Sequence, residues 1–268
     1  MVNPGRRRHV ALTRGVSPAI ARCELTFLER EPIDYARAVA QHGAYVRLLE
    51  GLGLRVVQLD ADAELPDCCF VEDIAIVLDE VAVLTRPGAP SRRGEMAALA
   101  VALEAYRPIV RLEAPARVDG GDVLVLGRRL FVGLSNRTDT AGRQALAEAV
   151  RPFDYEVVPV RMEGCLHLKT AVTAAHADLL LVNPEWVDLA PFRGLETIDV
   201  APGEPGAANV LSVGEAVITA AGFPRTAERL RARGLDVREV DVSEFQKAEG
   251  GVTCKSLVFD VAEDARPE

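Results

Sequence analysis

The residue with the clearest chemical potential is Cys254, close to the end of the chain. It follows Gly250 and Gly251 and precedes an apolar run at 256–261. Paired glycines let the backbone bend sharply and approach another group closely. A thiolate at such a point is a good nucleophile, although a free cysteine also packs as a small apolar side chain. Cys254 is therefore a candidate nucleophile, with a structural cysteine as the alternative.

A cysteine nucleophile needs a base and a group that orients the base. His167 is the candidate base because it also stands at the head of a predicted strand. An acid at an equivalent position, Asp119 or Asp122, could orient the imidazole or balance its charge. A core histidine and a simple turn are the structural alternatives for these positions.

A second group of residues points to the ligand. Asp67, Glu72 and Asp73 lie within seven residues, among apolar neighbours. Carboxylates are costly to bury unless a cation meets them, and a planar guanidinium suits several carboxylates at once. Arg92 and Arg137 could bind a carboxylate at the other end of such a ligand.

Elements that must position these side chains recur at a regular interval. Polar residues precede predicted strands at Asp73, Asp122, His167, Asn209 and Cys254, separated by 49, 45, 42 and 45 positions. A recurring unit of strands and a helix indicates a repeated architecture. Five units can close into an α/β ring with these residues at its axis. An open doubly wound sheet is the alternative, but no Gly-x-Gly-x-x-Gly motif follows the first strand.

Local patterns predict helices at 34–52, 92–106, 140–150 and 225–233, with Ser91 as the cap of the second. Strands are predicted at 9–13, 54–59, 74–78, 81–85, 123–126, 129–132, 155–160, 171–173, 179–182, 210–213, 216–219 and 257–259. We expect one α/β domain over residues 1–268.

Composition limits the classes of function. The chain has 268 residues, a net charge of −9 and 49% hydrophobic residues; an acidic protein is a poor nucleic-acid binder. No apolar run approaches the roughly 18 residues of a membrane-spanning helix. No apolar segment follows the arginines at 6–8, so we expect a cytoplasmic protein with reduced thiols. Its five cysteines form no C-x-x-C pair, so no zinc site is expected.

The chain resembles the dimethylarginine dimethylaminohydrolases. These enzymes belong with arginine deiminases and amidinotransferases among the guanidino-group modifying enzymes. The resemblance runs almost end to end. It is carried by LPDCCFVED at 65–73, TRPGAPSRR at 85–93, DGGDVL at 119–124, VGLSNRT at 132–138, LHLK at 166–169 and GGVTC at 250–254.

The resemblance implies a fold and a set of roles. The fold would be the pentein fold, a five-bladed α/β propeller with pseudo-fivefold ββαβ repeats. Cys254 would be the nucleophile, His167 the general acid and base, and Asp119 the third catalytic residue. The implied substrate-binding residues are Asp67, Glu72, Asp73, Arg92, Arg137, Leu25 in a lid segment at 16–31, and Ala248 through its carbonyl.

The reaction implied is hydrolysis of an N-methylated arginine to citrulline and a methylamine through a covalent thiouronium, without metal or organic cofactor. Arginine deiminase chemistry, amidino transfer and a non-catalytic binding protein for a cationic amino acid are the alternatives. The expected partner is the small-molecule substrate. A homodimer is one oligomeric state that the sequence leaves open.

Overall fold

The computed structural model describes residues 7–262, and their strands form five three-stranded sheets. The strands are β1 Arg7–Arg14, β2 Arg55–Leu59, β3 Ala75–Val77, β4 Ala82–Leu84, β5 Ile109–Arg111, β6 Val123–Leu126, β7 Arg129–Gly133, β8 Glu156–Val160, β9 Val172–His176, β10 Leu179–Val182, β11 Glu196–Asp199, β12 Leu211–Val213, β13 Ala216–Ala220, β14 Asp236–Val240 and β15 Ser256–Ala262. The helices are α1 Tyr35–Gly51, α2 Met96–Glu104, α3 Thr140–Val150, α4 Leu168–Ala171, α5 Pro224–Ala232 and α6 Ser243–Gln246.

All five sheets have the same topology, with strand orders β15-β1-β2, β3-β4-β5, β6-β7-β8, β9-β10-β11 and β12-β13-β14. In each sheet the middle strand is antiparallel to the first and parallel to the third. A parallel pair needs a crossover, which α1, α2, α3 and α5 supply in four sheets. β1 pairs with β15, so the two ends of the chain share one sheet and close the ring.

A helical turn precedes the first strand of every sheet. These turns are Val71–Ile74, Gly120–Asp122, Leu168–Ala171, Pro205–Ala208 and Thr253–Lys255. They contain or adjoin the five regularly spaced polar residues, and contacts link neighbouring turns. The predicted five-bladed α/β propeller is confirmed. One domain over 1–268 stays a prediction, because residues 1–6 and 263–268 lie outside the described residues.

Local signals placed most elements correctly. In α1, the Asp34 side chain accepts the N–H of Arg37 as a cap, and Ala38, Tyr45 and Leu49 face the core. The helix predicted at 140–150 is α3. The third strands β5, β11 and β14 were not predicted: β5 has only three residues, and most residues of β11 and β14 are exposed.

The helix predicted at 92–106 is wrong in its first turn. Residues Pro90–Glu95 form a 3₁₀ helix, and α2 begins only at Met96. Side chains three apart eclipse in a 3₁₀ helix, which aligns Arg92 with Glu95 for an ion pair. Ser91 caps nothing; its hydroxyl donates to the carboxylate of Glu24.

Apolar side chains fill the spaces between sheets and helices in five clusters. The cluster under α1 includes Tyr45, Leu49, Phe70 and Phe245, and Cys254 packs at its border. Within residues 7–262, none of the helices has the length and apolar character needed to cross a membrane.

Candidate active site

His167 lies directly before α4 and is held between two carboxylates. Its Nε2 lies 3.1 Å from Oδ2 of Asp119, and its Nδ1 lies 3.7 Å from Oδ1 of Asp73. Burial by itself would lower the pKa of His167, but the charges of Asp73, Asp122 and Asp119 outweigh it and raise the pKa to about 9. The imidazole therefore carries a proton at neutral pH and can act as an acid.

The structure separates the roles of two acids that the sequence left open. Asp119 contacts the imidazole, and its other oxygen accepts the N–H of Gly88 at 2.8 Å. Asp122 instead accepts the N–H of Leu168 at 3.0 Å and the hydroxyl of Ser135 at 2.6 Å. Burial raises the pKa of Asp122 to about 6. Asp122 thus fixes the backbone that follows the histidine.

Asp73 is anchored by Arg92. Nη1 of Arg92 lies 2.5 Å from Oδ2 of Asp73, and its Nε and Nη2 donate to Glu95 at 3.1 and 2.9 Å. Nη2 also donates to the carbonyl of Phe70 at 2.9 Å, and the residue is only 3% exposed. Although burial opposes it, the charges of His167 and Arg92 lower the pKa of Asp73 to about 2. Arg92 therefore turns inward, toward an acid of the site.

Cys254 is half-buried in the turn before β15. Its Sγ accepts the N–H of Gly251 at 3.3 Å. A Cβ on Gly251 would lie 2.2 Å from Oδ1 of Asn209, so this position requires glycine. Burial, reinforced by the negative charges of Glu72 and Asp73, raises the pKa of the Cys254 thiol to about 12. The thiol is therefore neutral around neutral pH in this structure.

Glu72 joins three of the turns at the axis. Its carboxylate accepts Nζ of Lys169 and the hydroxyl of Thr253, each at 2.6 Å. Asn209 donates to the carbonyl of Lys169 at 2.9 Å and to Oγ1 of Thr253 at 3.0 Å. This network fixes the residue next to Cys254. Lys169 and Thr253 were not among the predicted site residues, although both lie in the motifs that suggested the site.

Asp67 and Arg137 lie under the segment at 16–31. Oδ2 of Asp67 accepts the N–H of Glu24 at 3.1 Å, and burial raises the pKa of Asp67 although Arg92 opposes the shift. Nη2 of Arg137 donates to Oγ1 of Thr26 at 3.1 Å, while its Nη1 lies 3.8 Å from Oδ2 of Asp119. These contacts connect the segment to the acids beside His167.

A cavity of about 260 Å³ opens onto Cys254. Its walls are largely apolar and include Phe27, Leu28, Trp186 and Phe223. Leu25 and Ala248, the two remaining predicted residues, both belong to the apolar cluster at whose border Cys254 lies. Direct contacts or packing against this cluster thus connect all ten predicted site residues.

One group of side chains within residues 7–262 could hold a metal ion. Ligand atoms of Asp73, Asp119 and His167 lie within 4.8 Å of one another. Their oxygens already accept backbone N–H groups from Gly88 and Gly121 in addition to the imidazole and Arg92. These contacts explain the close approach of the three side chains. The absence of a cofactor requirement stays a prediction.

Solved structures match the fold of this protein over nearly the whole chain. The dimethylarginine dimethylaminohydrolase of Pseudomonas aeruginosa, a Cys-to-Ser mutant complexed with citrulline, aligns with a TM-score of 0.90 and 35% identity, covering 93% of this chain and 98% of that one. The N-terminal domain of ArgZ, an arginine dihydrolase from Cyanobacteria, aligns with a TM-score of 0.81. At 22% identity, the second match shows only a common fold.

Sequence relatives agree. A dimethylarginine dimethylaminohydrolase of Streptomyces coelicolor is 40% identical over 92% of this chain and 95% of its own length. The dimethylarginine dimethylaminohydrolase of Pseudomonas aeruginosa is 38% identical over 84% of this chain and 90% of its own length. The family model of eukaryotic N,N dimethylarginine dimethylhydrolases matches residues 25–190. The chain belongs to the dimethylarginine dimethylaminohydrolase family.

Proposed function

We propose that this protein hydrolyses asymmetric dimethylarginine and monomethylarginine to L-citrulline and dimethylamine or methylamine. The observation that carries the proposal is that Asp73 links the two reactive groups: it lies 3.7 Å from the imidazole of His167, and its charge contributes to the raised pKa of the half-buried Cys254 thiol. Carboxylates beside these groups suit attack on a cationic carbon, because they bind the guanidinium before reaction. Two relatives named for this activity, and one solved with citrulline, support it.

In this proposal Glu72 and Asp73, with Asp67 nearby, receive the substrate guanidinium. A guanidinium offers five N–H donors in a fixed plane, and charge-assisted hydrogen bonds to carboxylates orient it strongly. Its positive charge would lower the pKa of the Cys254 thiol, reversing the effect of the acids. Substrate binding and formation of the thiolate are then one coupled event, in which the thiol proton passes to solvent because His167 is already protonated.

The first chemical step is attack of the Cys254 thiolate on the guanidinium carbon. A sulfur–carbon bond forms, and the bond from that carbon to the methylated nitrogen breaks. His167 gives its proton to this nitrogen, which leaves as dimethylamine or methylamine. Because the pKa of His167 is raised to about 9, the imidazole holds this proton before the attack. Asp119 keeps the imidazolium oriented.

The second step is hydrolysis of the covalent thiouronium. Neutral His167 takes a proton from water while the oxygen attacks the same carbon. The carbon–sulfur bond then breaks with its electron pair returning to Cys254, which takes up the second proton of the water and becomes a thiol again, and citrulline leaves. His167 ends this step protonated, as it began the cycle.

We assign the carboxylate of the substrate to Arg137 and Arg92, and the rest of its amino-acid end to the lid residue Leu25 and the carbonyl of Ala248. The proposal is supported by the contact of Arg137 with Thr26 and by the Asp67 carboxylate under Glu24. The guanidinium of Arg137 makes fewer contacts within the protein than that of Arg92. Arg92 would have to exchange a contact with Glu95 to meet a carboxylate.

The decisive experiment is a substrate panel followed by citrulline formation. It comprises asymmetric dimethylarginine, monomethylarginine, arginine and agmatine, with an added amine acceptor as a test of amidino transfer. Cys254→Ser should abolish turnover, while Cys68→Ser, which changes a buried thiol outside the proposed machinery, should retain it. Acid quenching should trap a covalent adduct on the Cys254 peptide. Binding without citrulline formation would favour a binding protein instead.

We also retain a homodimer and a cytoplasmic location as parts of the proposal. Sedimentation at several protein concentrations tests the first, and fractionation of cells that produce the protein tests the second.

A further inference from the structure

Glu249 makes contacts that the proposed chemistry does not use. Its carboxylate accepts three successive backbone N–H groups: Oε2 lies 2.9 Å from N of Thr26, and Oε1 lies 2.5 Å from N of Phe27 and 2.7 Å from N of Leu28. The residue has φ of 58°, a left-handed conformation that costs free energy outside glycine. The backbone is therefore held in an unfavourable conformation where this side chain meets the segment at 16–31.

Apolar packing holds Val16, Ile20 and Cys23 in the core, but it does not hold the part of the segment at 26–28. Phe27 and Leu28 line the cavity beside Cys254, yet they are 51% and 50% exposed. Successive N–H groups aimed at one point form a concavity that binds an anion. Charge-assisted hydrogen bonds of this kind are among the stronger polar contacts. The Glu249 carboxylate is thus the principal anchor of this part of the segment.

Two other contacts of the segment, those of Glu24 and Thr26 with Asp67 and Arg137, differ in one respect. The N–H of Glu24 is bound by Asp67, and the hydroxyl of Thr26 by Arg137. Both partners are assigned to the substrate, so these contacts must be shared or exchanged when it binds. Glu249 also lines the cavity beside Cys254, but its hydrogen bonds to the segment involve no residue assigned to the substrate, so they can persist throughout the cycle.

We propose that Glu249 is a positioning residue that latches the lid segment at 16–31 over Cys254. It belongs to the same short stretch as Ala248 and as Gly251, whose N–H binds the Cys254 sulfur. Lid closure is thereby tied to the stretch that holds the nucleophile. Only the kinetic consequence rests on the proposed function.

The test compares Glu249→Gln and Glu249→Ala with Glu215→Gln, which removes an exposed carboxylate in the turn between β12 and β13. Alkylation of Cys254 by iodoacetamide is followed on its own peptide by mass spectrometry, and tryptic cleavage is followed after Arg22 and Arg30. Both rates should rise about tenfold in the Glu249 variants, the factor that corresponds to 1.4 kcal/mol. They should not change in Glu215→Gln.

Kinetics provide a second readout. KM for the methylated arginines should rise about tenfold, equivalent to 1.4 kcal/mol, while kcat changes much less. The free energy of unfolding should fall by no more than about 1.4 kcal/mol, the loss of the latch alone. Glu249→Gln, which keeps the shape of the side chain, covers the case in which Glu249→Ala folds poorly. Unchanged alkylation and cleavage in Glu249→Gln would overturn the latch. Neither assay needs turnover, so the latch and the proposed function fail separately.

Discussion

Lys255, the residue after the candidate nucleophile, is buried in an apolar setting, and we predict that Lys255→Met stabilises the protein. The side chain is 0% exposed, and its Nζ has no hydrogen-bond partner among residues 7–262. Nζ lies 4.0 Å from the ring centroid of Tyr45 and 4.9 Å from that of Phe245. Burial lowers the pKa of Lys255 from 10.5 to about 7, since it disfavours the ammonium form.

The size of the effect follows from this pKa. Lowering it from 10.5 to about 7 costs about 5 kcal/mol of folding free energy, at about 1.36 kcal/mol for each pH unit. Replacing buried charged groups by apolar side chains of similar volume has stabilised proteins by about 1–4 kcal/mol. Methionine is unbranched and fits irregular spaces. We therefore expect a gain of about 2–3 kcal/mol at pH 7, within the range of such replacements.

The gain must depend on pH in a defined direction. Between the folded pKa of about 7 and the unfolded pKa of 10.5, the unfolded chain binds more protons at Lys255 than the folded protein. The cost of the lysine is therefore complete below pH 7 and fades as the pH rises toward 10.5. The two proteins should converge in stability at alkaline pH.

Urea unfolding at pH 7 and at pH 10 measures both quantities. Lys247→Met is the matched control, because Lys247 is partly exposed and pairs with Glu244 at 2.8 Å. It should give no gain at pH 7. A loss of stability in Lys255→Met, or a gain of equal size at both pH values, would refute the reasoning.

The proposed site leads to four further predictions. The apolar cavity at the thiol should favour methylated substrates, so kcat/KM for asymmetric dimethylarginine should exceed that for arginine by about tenfold or more per methyl-sized contact; equal values would favour the deiminase reading. Arg137→Lys should mainly raise KM, because an ammonium does not replace a planar guanidinium. Arg92→Lys should lower kcat as well, since it removes the guanidinium that pairs with Asp73. If agmatine were turned over as well as methylated arginine, neither arginine would bind the substrate carboxylate. Alkylation of Cys254 without substrate should show an apparent thiol pKa above the usual value of about 8.5. A small unreactive amidinium should lower this apparent pKa. An apparent pKa well below neutrality that the amidinium does not change would indicate a preformed thiolate–imidazolium pair. Activity should fall as pH rises through the His167 pKa of about 9, and Asp119→Asn should move this descending limb to lower pH; a limb that stays in place would remove Asp119 from its role.

Local sequence signals were enough for the repeat and for the motifs. The regular spacing of polar residues before predicted strands indicated five units, because each inner strand is preceded by a turn that exposes one side chain to the axis. The motifs around Asp73, Asp119, His167 and Cys254 identified the residues to compare. Their roles in catalysis and binding stay proposals that the experiments above test.

Only the tertiary structure decided which groups meet. From the sequence, Asp119 and Asp122 were equally good candidates for the partner of His167. In the structure Asp119 contacts the imidazole, and Asp122 accepts the backbone N–H of Leu168. Arg92 points inward to Asp73 and Glu95, from a 3₁₀ helix at a place where the local pattern predicts the first turn of an α-helix.

The partners of Glu249 and Lys255 lie up to 223 residues away in sequence. Propensity and spacing describe neighbours along the chain, whereas hydrogen bonds and desolvation depend on neighbours in space. For that reason the sequence by itself identified the reactive residue types, and the folded chain determined their charge states and contacts.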